Sequence, residues 1–332
     1  MRDYGLEPFS RPRRLRLQPQ LRAMLSGVAL RRSDFILPIF VRDGKDLRNE
    51  VPSMPNVYQM SVDVATRFLA EKAADGIKAF LVFGVVERDK KDALGSAALD
   101  EQNIVCRLLR AVKEQKIPMA AITDLCFCEY TSHGHCGVLT DDKSTVKNDE
   151  TVARLVQQAI NHAKAGADVI APSGMMDGTV AALRNGLDNA GLADTSILSY
   201  AVKYSSAFYG PFRDAADSAP EFGDRKSYQM DPARGVNEAI LEATSDVEQG
   251  ADMVMVKPAG PYLDILAAVK KAVKVPVAAY QVSGEYSMLE AAIKNNWLDR
   301  DRAILESLTA IKRAGADLII SYYADRVSKL LP

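Results

Sequence analysis

Two hydrophobic patterns alternate along the chain. Short apolar runs fall at residues 35–41, 79–83, 118–125, 168–171, 197–202, 253–256, 275–282 and 317–322. Runs of this length, apolar on both faces, predict strands of a parallel sheet covered on either side. Between them apolar residues recur at helical spacing over 62–74, 103–115, 151–165, 179–189, 235–249, 262–273, 286–295 and 302–314. Asn148 or Asp149 is a candidate N-cap for the third of these helices, and Gly166 stands just past its end. Three strands share one lead: Gly166-Ala-Asp168, Gly250-Ala-Asp252 and Gly315-Ala-Asp317. Glycine there can close a helix in the left-handed region and turn the chain straight into a strand, so one βα unit is being repeated. Eight strands alternating with helices predict an α/β fold, a (β/α)8 TIM barrel; an open doubly wound sheet is the competing arrangement.

Two stretches break this rhythm. Residues 1–33 are rich in Arg, Pro and Leu without a period. They read as an extended N-terminal arm ahead of a catalytic domain at 34–332. Leu15, Leu17, Leu21 and Leu25 need cover, which favours packing on a neighbouring subunit over a loose tail. Residues 204–232, after the fifth strand, make a connection of unusual length. Their aromatic residues (Phe208, Tyr209, Phe212, Phe222) and basic residues (Arg213, Arg225, Lys226) suit a lid over an anionic ligand; a solvated insertion is the plainer alternative.

Composition narrows the function classes. The 332 residues carry a net charge of −1, which implies no overall attraction to nucleic acid or to a membrane surface. No apolar run approaches the ~18 residues that span a bilayer, and no signal-type block follows the N-terminal arginines, so a cytoplasmic location is the default. Four cysteines are too few for a disulfide scaffold, yet Cys126, Cys128 and Cys136 crowd into one short stretch.

That stretch is the first candidate for chemistry. Cys126 and Cys128, two apart at the end of the third strand, face one side in extended backbone, and Cys136 can fold back over Gly134 and Gly137. Three thiolates suit Zn²⁺. The fourth ligand is either His133 or His135, closing the site, or solvent, leaving it open. The second candidate is a lysine pair. Lys257 ends the sixth strand and Lys203 the fifth. A single strand-end lysine usually snorkels with its head in water. On adjacent barrel strands, however, the two amines are neighbours on one rim. Burial and mutual repulsion would then lower their pKa values toward a nucleophilic free amine and Schiff-base chemistry. Asp124, Ser173, Asp177, Gln229, Ser283 and Tyr322 also fall at strand ends, with Asp124 the candidate general base. The hydroxyl of Ser283 and the N–H groups of the helix after it can bind a carboxylate.

Taken together, Asp124–Gly137, Lys203 with its following lid, Met255-Val-Lys257-Pro258, Gln281-Val-Ser283-Gly-Glu285-Tyr286 and Gly315-Ala-Asp317 resemble the porphobilinogen synthase (5-aminolevulinate dehydratase) family. The resemblance runs in unbroken order from about Arg11. It implies a TIM barrel whose arm wraps a partner subunit, a homo-octamer, and the condensation of two molecules of 5-aminolevulinate into porphobilinogen with loss of water. It implies a Schiff base on Lys257 with the substrate that supplies the propionate side, and Lys203 holding the second substrate. Zinc on Cys126, Cys128 and Cys136, Arg213 and Arg225 on one carboxylate, and Ser283 and Tyr322 on the other follow from it, with Gln229 a further substrate-binding candidate. Many bacterial members bind an allosteric Mg²⁺ near the position of Glu242. The chain departs at Gly174 and Thr179, where relatives often carry Asp or Ala and a longer polar residue. Two other readings compete: a class I aldolase with one Schiff-base lysine, and a zinc-binding or assembly protein with incidental rim lysines.

Overall fold

The computed structural model describes residues 11–331. Ten strands form one sheet: β1 (Phe35–Arg42), β2 (Arg48–Glu50), β3 (Tyr58–Ser61), β4 (Ala79–Val85), β5 (Ala120–Leu125), β6 (Val169–Pro172), β7 (Ser196–Lys203), β8 (Met253–Lys257), β9 (Val277–Gln281) and β10 (Leu318–Ser321). Eight of them, β1 and β4 to β10, pair in parallel in chain order, and β10 pairs back onto β1. The sheet is therefore closed, and the barrel, not the open sheet, is the fold. The helices predicted at 62–74 and 179–189 appear as Val62–Ala74 and Thr179–Asn189.

The repeated Gly-Ala-Asp lead has a defined job. Gly166, Gly250 and Gly315 all have φ between 105° and 117°, the left-handed region that a side chain disfavours. The aspartate that follows stitches its strand to the preceding one. The Asp168 carboxylate accepts from Ala121 N at 2.7 Å, that of Asp252 from Ile197 N at 2.7 Å and that of Asp317 from Val277 N at 2.8 Å. Each aspartate N–H in turn donates to the carbonyl of the same partner, at 2.9, 3.0 and 2.8 Å. These reciprocal pairs fix the register of β5–β6, β7–β8 and β9–β10 at the N-terminal end of the barrel.

Several expectations need correction. Neither Asn148 nor Asp149 is the N-cap: the helix runs Asn148–Ala165 with Lys147 before it. The Asn148 amide is instead spent on Asp177, accepting from its N–H at 2.8 Å. The helix expected at 286–295 begins earlier, at Ser283, because Glu285 folds back to accept from Val282 N at 2.8 Å. Elements with too little periodicity to be read also appear: the β2–β3 pair and a C-terminal helix, Ala324–Leu330. Within residues 11–33 the arm is not uniformly extended. It carries two short helices, Arg14–Leu17 and Pro19–Met24, with no buried residue. Leu15, Leu17, Met24 and Leu25 stay exposed on this chain. The first ten residues of the arm lie outside the described residues.

Candidate active site

Lys203 and Lys257 close β7 and β8 as direct Cα partners. The register between these strands shifts between Ser199 and Val202, a bulge that sets two residues of β7 against one of β8. Residues 199 and 203 are an even number apart and would share a face on a regular strand. The bulge separates them. Ser199 turns out to donate to Asp246 at 2.5 Å, while Lys203 turns inward. Both lysines are buried, at 5% and 6% exposure, so neither snorkels to water.

The two amines are held differently. Lys203 Nζ donates to the Ser173 carbonyl at 2.5 Å. Lys257 has an aromatic surround, its Nζ lying 4.4 Å from the ring centroid of Tyr280, 4.9 Å from that of Tyr200, 5.4 Å from Tyr209 and 5.5 Å from Phe212. Burial, followed by the adjacent Lys203 charge, pushes the Lys257 ammonium down to about 7; Asp124 opposes the shift without cancelling it. An amine with that pKa is about half unprotonated near neutral pH, roughly a thousandfold more free amine than an ordinary lysine offers.

Around the pair lies a cavity lined by Asp124, Cys128, Glu129, Ser173, Arg213, Arg225, Ser283 and Tyr322 as well as the lysines. Asp124, next to last on β5, accepts from Ser173 Oγ at 3.2 Å, and its other oxygen meets no donor. Burial pushes its carboxyl up, against the pull of Lys257 and Lys203. Ser283, at the start of its helix, accepts from Phe212 N at 2.9 Å, and the Tyr322 and Tyr280 hydroxyls are 3.1 Å apart. Glu129 went unnoticed in the sequence. It is buried with one oxygen unpartnered, and its carboxyl is pushed up to about 7 by burial and by Asp124. Its position directly after Cys128 was the available signal.

The cysteine loop folds as its glycines allow. Cys126, Cys128 and Cys136 are all buried, with their sulfurs within 4.8 Å of one another and Cys126 Sγ 3.3 Å from Cys128 Sγ. Such a cluster cannot carry three charges without a cation. Cys136 is held well below the ordinary thiol range by bonds from Cys126 and Cys128, while Cys126 and Cys128 are driven above it. Neither histidine joins them. His133 Nε2 lies 3.1 Å from the Ala93 carbonyl and its Nδ1 accepts from His135 N at 3.1 Å. His135 uses its ring nitrogens on Tyr228 Oη and the Phe222 carbonyl, both at 3.1 Å. The donor set is thus three thiols, of which Cys128 also lines the cavity, and its chemistry fits Zn²⁺.

Residues 204–232 are a structured cover. They contain a short helix, Gly210–Ala216, and are tied down at several points. Tyr209 Oη donates to the Tyr204 carbonyl at 2.8 Å, Gln59 Nε2 to the Ala215 carbonyl at 2.8 Å, and Arg225 Nη2 to the Gly134 and Ser218 carbonyls at 2.7 and 2.8 Å. Gly134 has φ +70°, and a Cβ there would lie 2.3 Å from the Ala219 carbonyl oxygen, so this glycine is what seats the cover on the cysteine loop. Arg213 and Arg225 both point into the cavity with an Nε–H that meets no acceptor. For Arg225 burial opposes the charge, but the Cys136 thiolate prevails and raises its pKa. For Arg213 burial and Arg225 together lower it. Two of the predicted residues are elsewhere. Gln229 is buried but lines a neighbouring cavity with Asp177 and Glu242 rather than the one holding the lysines. Glu242, on the helix Val236–Glu248, is pushed up to about 7 by burial and by Asp246, Asp177 and Glu238.

Fold and site together define an enzyme of carbonyl chemistry: a TIM barrel with a depressed-pKa lysine, a second lysine beside it and a three-thiol centre on one rim. The family model described as delta-aminolevulinic acid dehydratase matches residues 9–330. A protein of that description from Halalkalibacterium halodurans is 53% identical over 323 residues, covering 97% of both chains. One from Streptomyces coelicolor is 51% identical over 332 residues and the full length of both. The crystal structure of delta-aminolevulinic acid dehydratase (porphobilinogen synthase) from Toxoplasma gondii, in complex with its reaction product porphobilinogen, superposes with a TM-score of 0.95 at 41% identity, covering 97% of this chain and 92% of that one. The chain belongs to the delta-aminolevulinic acid dehydratase family, the hydro-lyases also called porphobilinogen synthases. Among the described residues no helix is long and apolar enough to cross a membrane.

Proposed function

We propose that the protein condenses two molecules of 5-aminolevulinate into porphobilinogen through imines on Lys257 and Lys203, in tetrapyrrole synthesis. The observation that carries the reading is the register pairing of two buried lysines, one with its ammonium pushed down to about 7, beside three clustered thiols. The neutral Lys257 Nζ attacks the ketone carbon of the substrate that supplies the propionate side. The nitrogen gives up its two protons, the oxygen takes up two and leaves as water, and the C=N bond forms. Ser283 and Tyr322 hold that substrate's carboxylate, and the free Nε–H groups of Arg213 and Arg225 hold the carboxylate of the second. Asp124, which lines the same cavity and interacts with the charge of both lysines, accepts the proton lost from carbon next to an imine. Cys126, Cys128 and Cys136 would hold Zn²⁺, which would supply Lewis-acid polarisation of an oxygen of the second substrate. The committed hydrogen bonds of His133 and His135 support a three-thiolate site. Reduction by borohydride in the presence of 5-aminolevulinate, followed by peptide mass spectrometry, tests the assignment: Lys257 carries the adduct, and an unlabelled Lys257 rejects it.

Two further assignments rest on separate observations. Glu242 lies among Asp177, Glu238 and Asp246, an acidic surround that an allosteric Mg²⁺ would relieve; Mg²⁺ stimulation that persists unchanged in Glu242→Gln rejects it. The exposed leucines of the arm support its packing on a neighbouring subunit within a cytoplasmic homo-octamer. Native mass measurement reads the assembly directly, and full-size particles after removal of the arm reject that role.

A further inference from the structure

Four aromatic rings face Lys257, but among the described residues only one of them also faces Lys203. The Tyr200 centroid is 4.9 Å from Lys257 Nζ and 5.7 Å from Lys203 Nζ. Tyr200 is itself fully packed, at 1% exposure, so its ring cannot swing away from either amine. Its placement depends on the β7 bulge. Tyr200 and Lys203 are three apart and would face opposite sides of a regular strand, whereas the two-against-one register between Ser199 and Val202 lets both face the barrel interior. The hydroxyl lies beside Asp124 without completing a hydrogen bond. A buried ring with cations near its face attracts them through its quadrupole, more strongly where water is excluded.

We propose that Tyr200 is a positioning residue shared by the two amine sites: its π face holds the cationic ends of Lys257 and Lys203, and of the imines they form, on either side of the reacting carbons. This rests on the two-imine reading above. One ring then serves two like charges that repel each other, and it does so without offering a proton acceptor that could quench either. The carboxylate alternative is already present as Asp124, on β5. Other groups face Lys257 as well: Lys203 on β7, Asp124 on β5, and Cys128 and Glu129 on the cysteine loop. None of these changes when the ring alone is altered.

The test replaces Tyr200 with phenylalanine and with its mono-, di- and trifluorinated analogues, which keep shape while progressively weakening the π face. For each holoenzyme, 5-aminolevulinate imines are trapped with cyanoborohydride across pH and quantified by mass spectrometry at Lys257 and at Lys203. A weaker π face stabilises the ammonium less. The expected result is a stepwise fall, by about half a unit over the series, in the pH midpoint of trapping at Lys257, with the adduct yield at Lys203 falling in step. Tyr200→Phe itself is expected to keep the midpoint and the yield of the unsubstituted enzyme. A purely structural ring gives a flat midpoint at Lys257 and a flat yield at Lys203 across the series, which overturns the proposal, as does a change at Lys257 alone. If the unsubstituted enzyme forms no adduct at Lys257, the two-imine reading fails and the proposal falls with it. A flat series with normal trapping rejects only the role of Tyr200.

Discussion

The charge on Lys203 is one of two causes that depress Lys257, and it can be removed on its own. Lys203→Met keeps length and apolar bulk at the end of β7 while deleting the ammonium. The two residues are Cα partners on neighbouring strands, so their amines are separated by little more than the strand spacing. Two unit charges about 6 Å apart at an effective dielectric of about 20 interact by roughly 3 kcal/mol, or about two pKa units. The real figure is smaller, because Lys203 also helps keep Asp124 ionised, and part of that compensating charge goes with it. A shift of about one unit is expected. The sign is upward: without a neighbouring positive charge Lys257 keeps its proton to higher pH. Its midpoint moves from about 7 to about 8, and the free amine near neutral pH falls about fivefold. The assay is imine trapping at Lys257 with 5-aminolevulinate across the range from about 5.5 to 10. The yield at the alkaline plateau is expected to match that of the unsubstituted enzyme, since the variant alters when Lys257 deprotonates and not whether it reacts. A midpoint within about 0.3 units of the original would mean that burial alone depresses Lys257, and a downward shift would refute the electrostatic account.

Other consequences can be checked separately. Lys257 binds fewer protons folded than unfolded between about 7 and its ordinary value, so its burial costs stability that returns as pH rises through that window. Lys257→Met is expected to abolish turnover and raise urea stability near neutral pH by about 1–3 kcal/mol, with the gain fading toward alkaline pH. Gly134→Ala places a Cβ against the Ala219 carbonyl in a left-handed backbone; proteolysis within 204–232 should accelerate and KM should rise while the far-ultraviolet circular dichroism is retained. Asp252→Ala leaves Ile197 N–H without its side-chain partner and should cost about 1 kcal/mol in denaturant melts with activity intact. Removing zinc by chelation should abolish turnover, and zinc alone should restore it; activity that survives complete removal rejects a catalytic role for the three thiols.

The barrel was legible because its parts are local. Each apolar run and each helical period is a property of adjacent residues, and the glycine of each Gly-Ala-Asp lead announces a backbone state that its own chemistry selects. The cysteines and lysines were legible for the same reason, as strand-end residues of unusual type. What the sequence did not disclose depends on events between elements. The bulge in β7 leaves no mark in Ser199-Tyr-Ala-Val-Lys203, yet it decides that Tyr200 and Lys203 both face inward. The commitment of His133 and His135 to Ala93, Phe222 and Tyr228 lies in contacts with distant segments, so the number of protein ligands at the metal site stayed open. Glu129 was passed over because a carboxylate in a loop is ordinary until its burial is known. Gln229 reads in the sequence as one of the polar groups at strand ends, whereas it lies within the cover and lines the neighbouring cavity with Asp177 and Glu242.

The aspartate stitches at the base of the barrel bear on how this enzyme can change. Three of the eight seams are fastened at the end opposite the lysines, by side chains that take no part in the chemistry. The rim, where buried ammonium groups and crowded thiols work against folding, is thus built on strands whose alignment is secured elsewhere. Residues at the two ends of one strand answer to different pressures. Ile197 and Lys203, at opposite ends of β7, are an instance: a change at the first tests the frame, and a change at the second tests the reaction. Substrate preference could therefore drift at the rim without the frame having to be rebuilt each time.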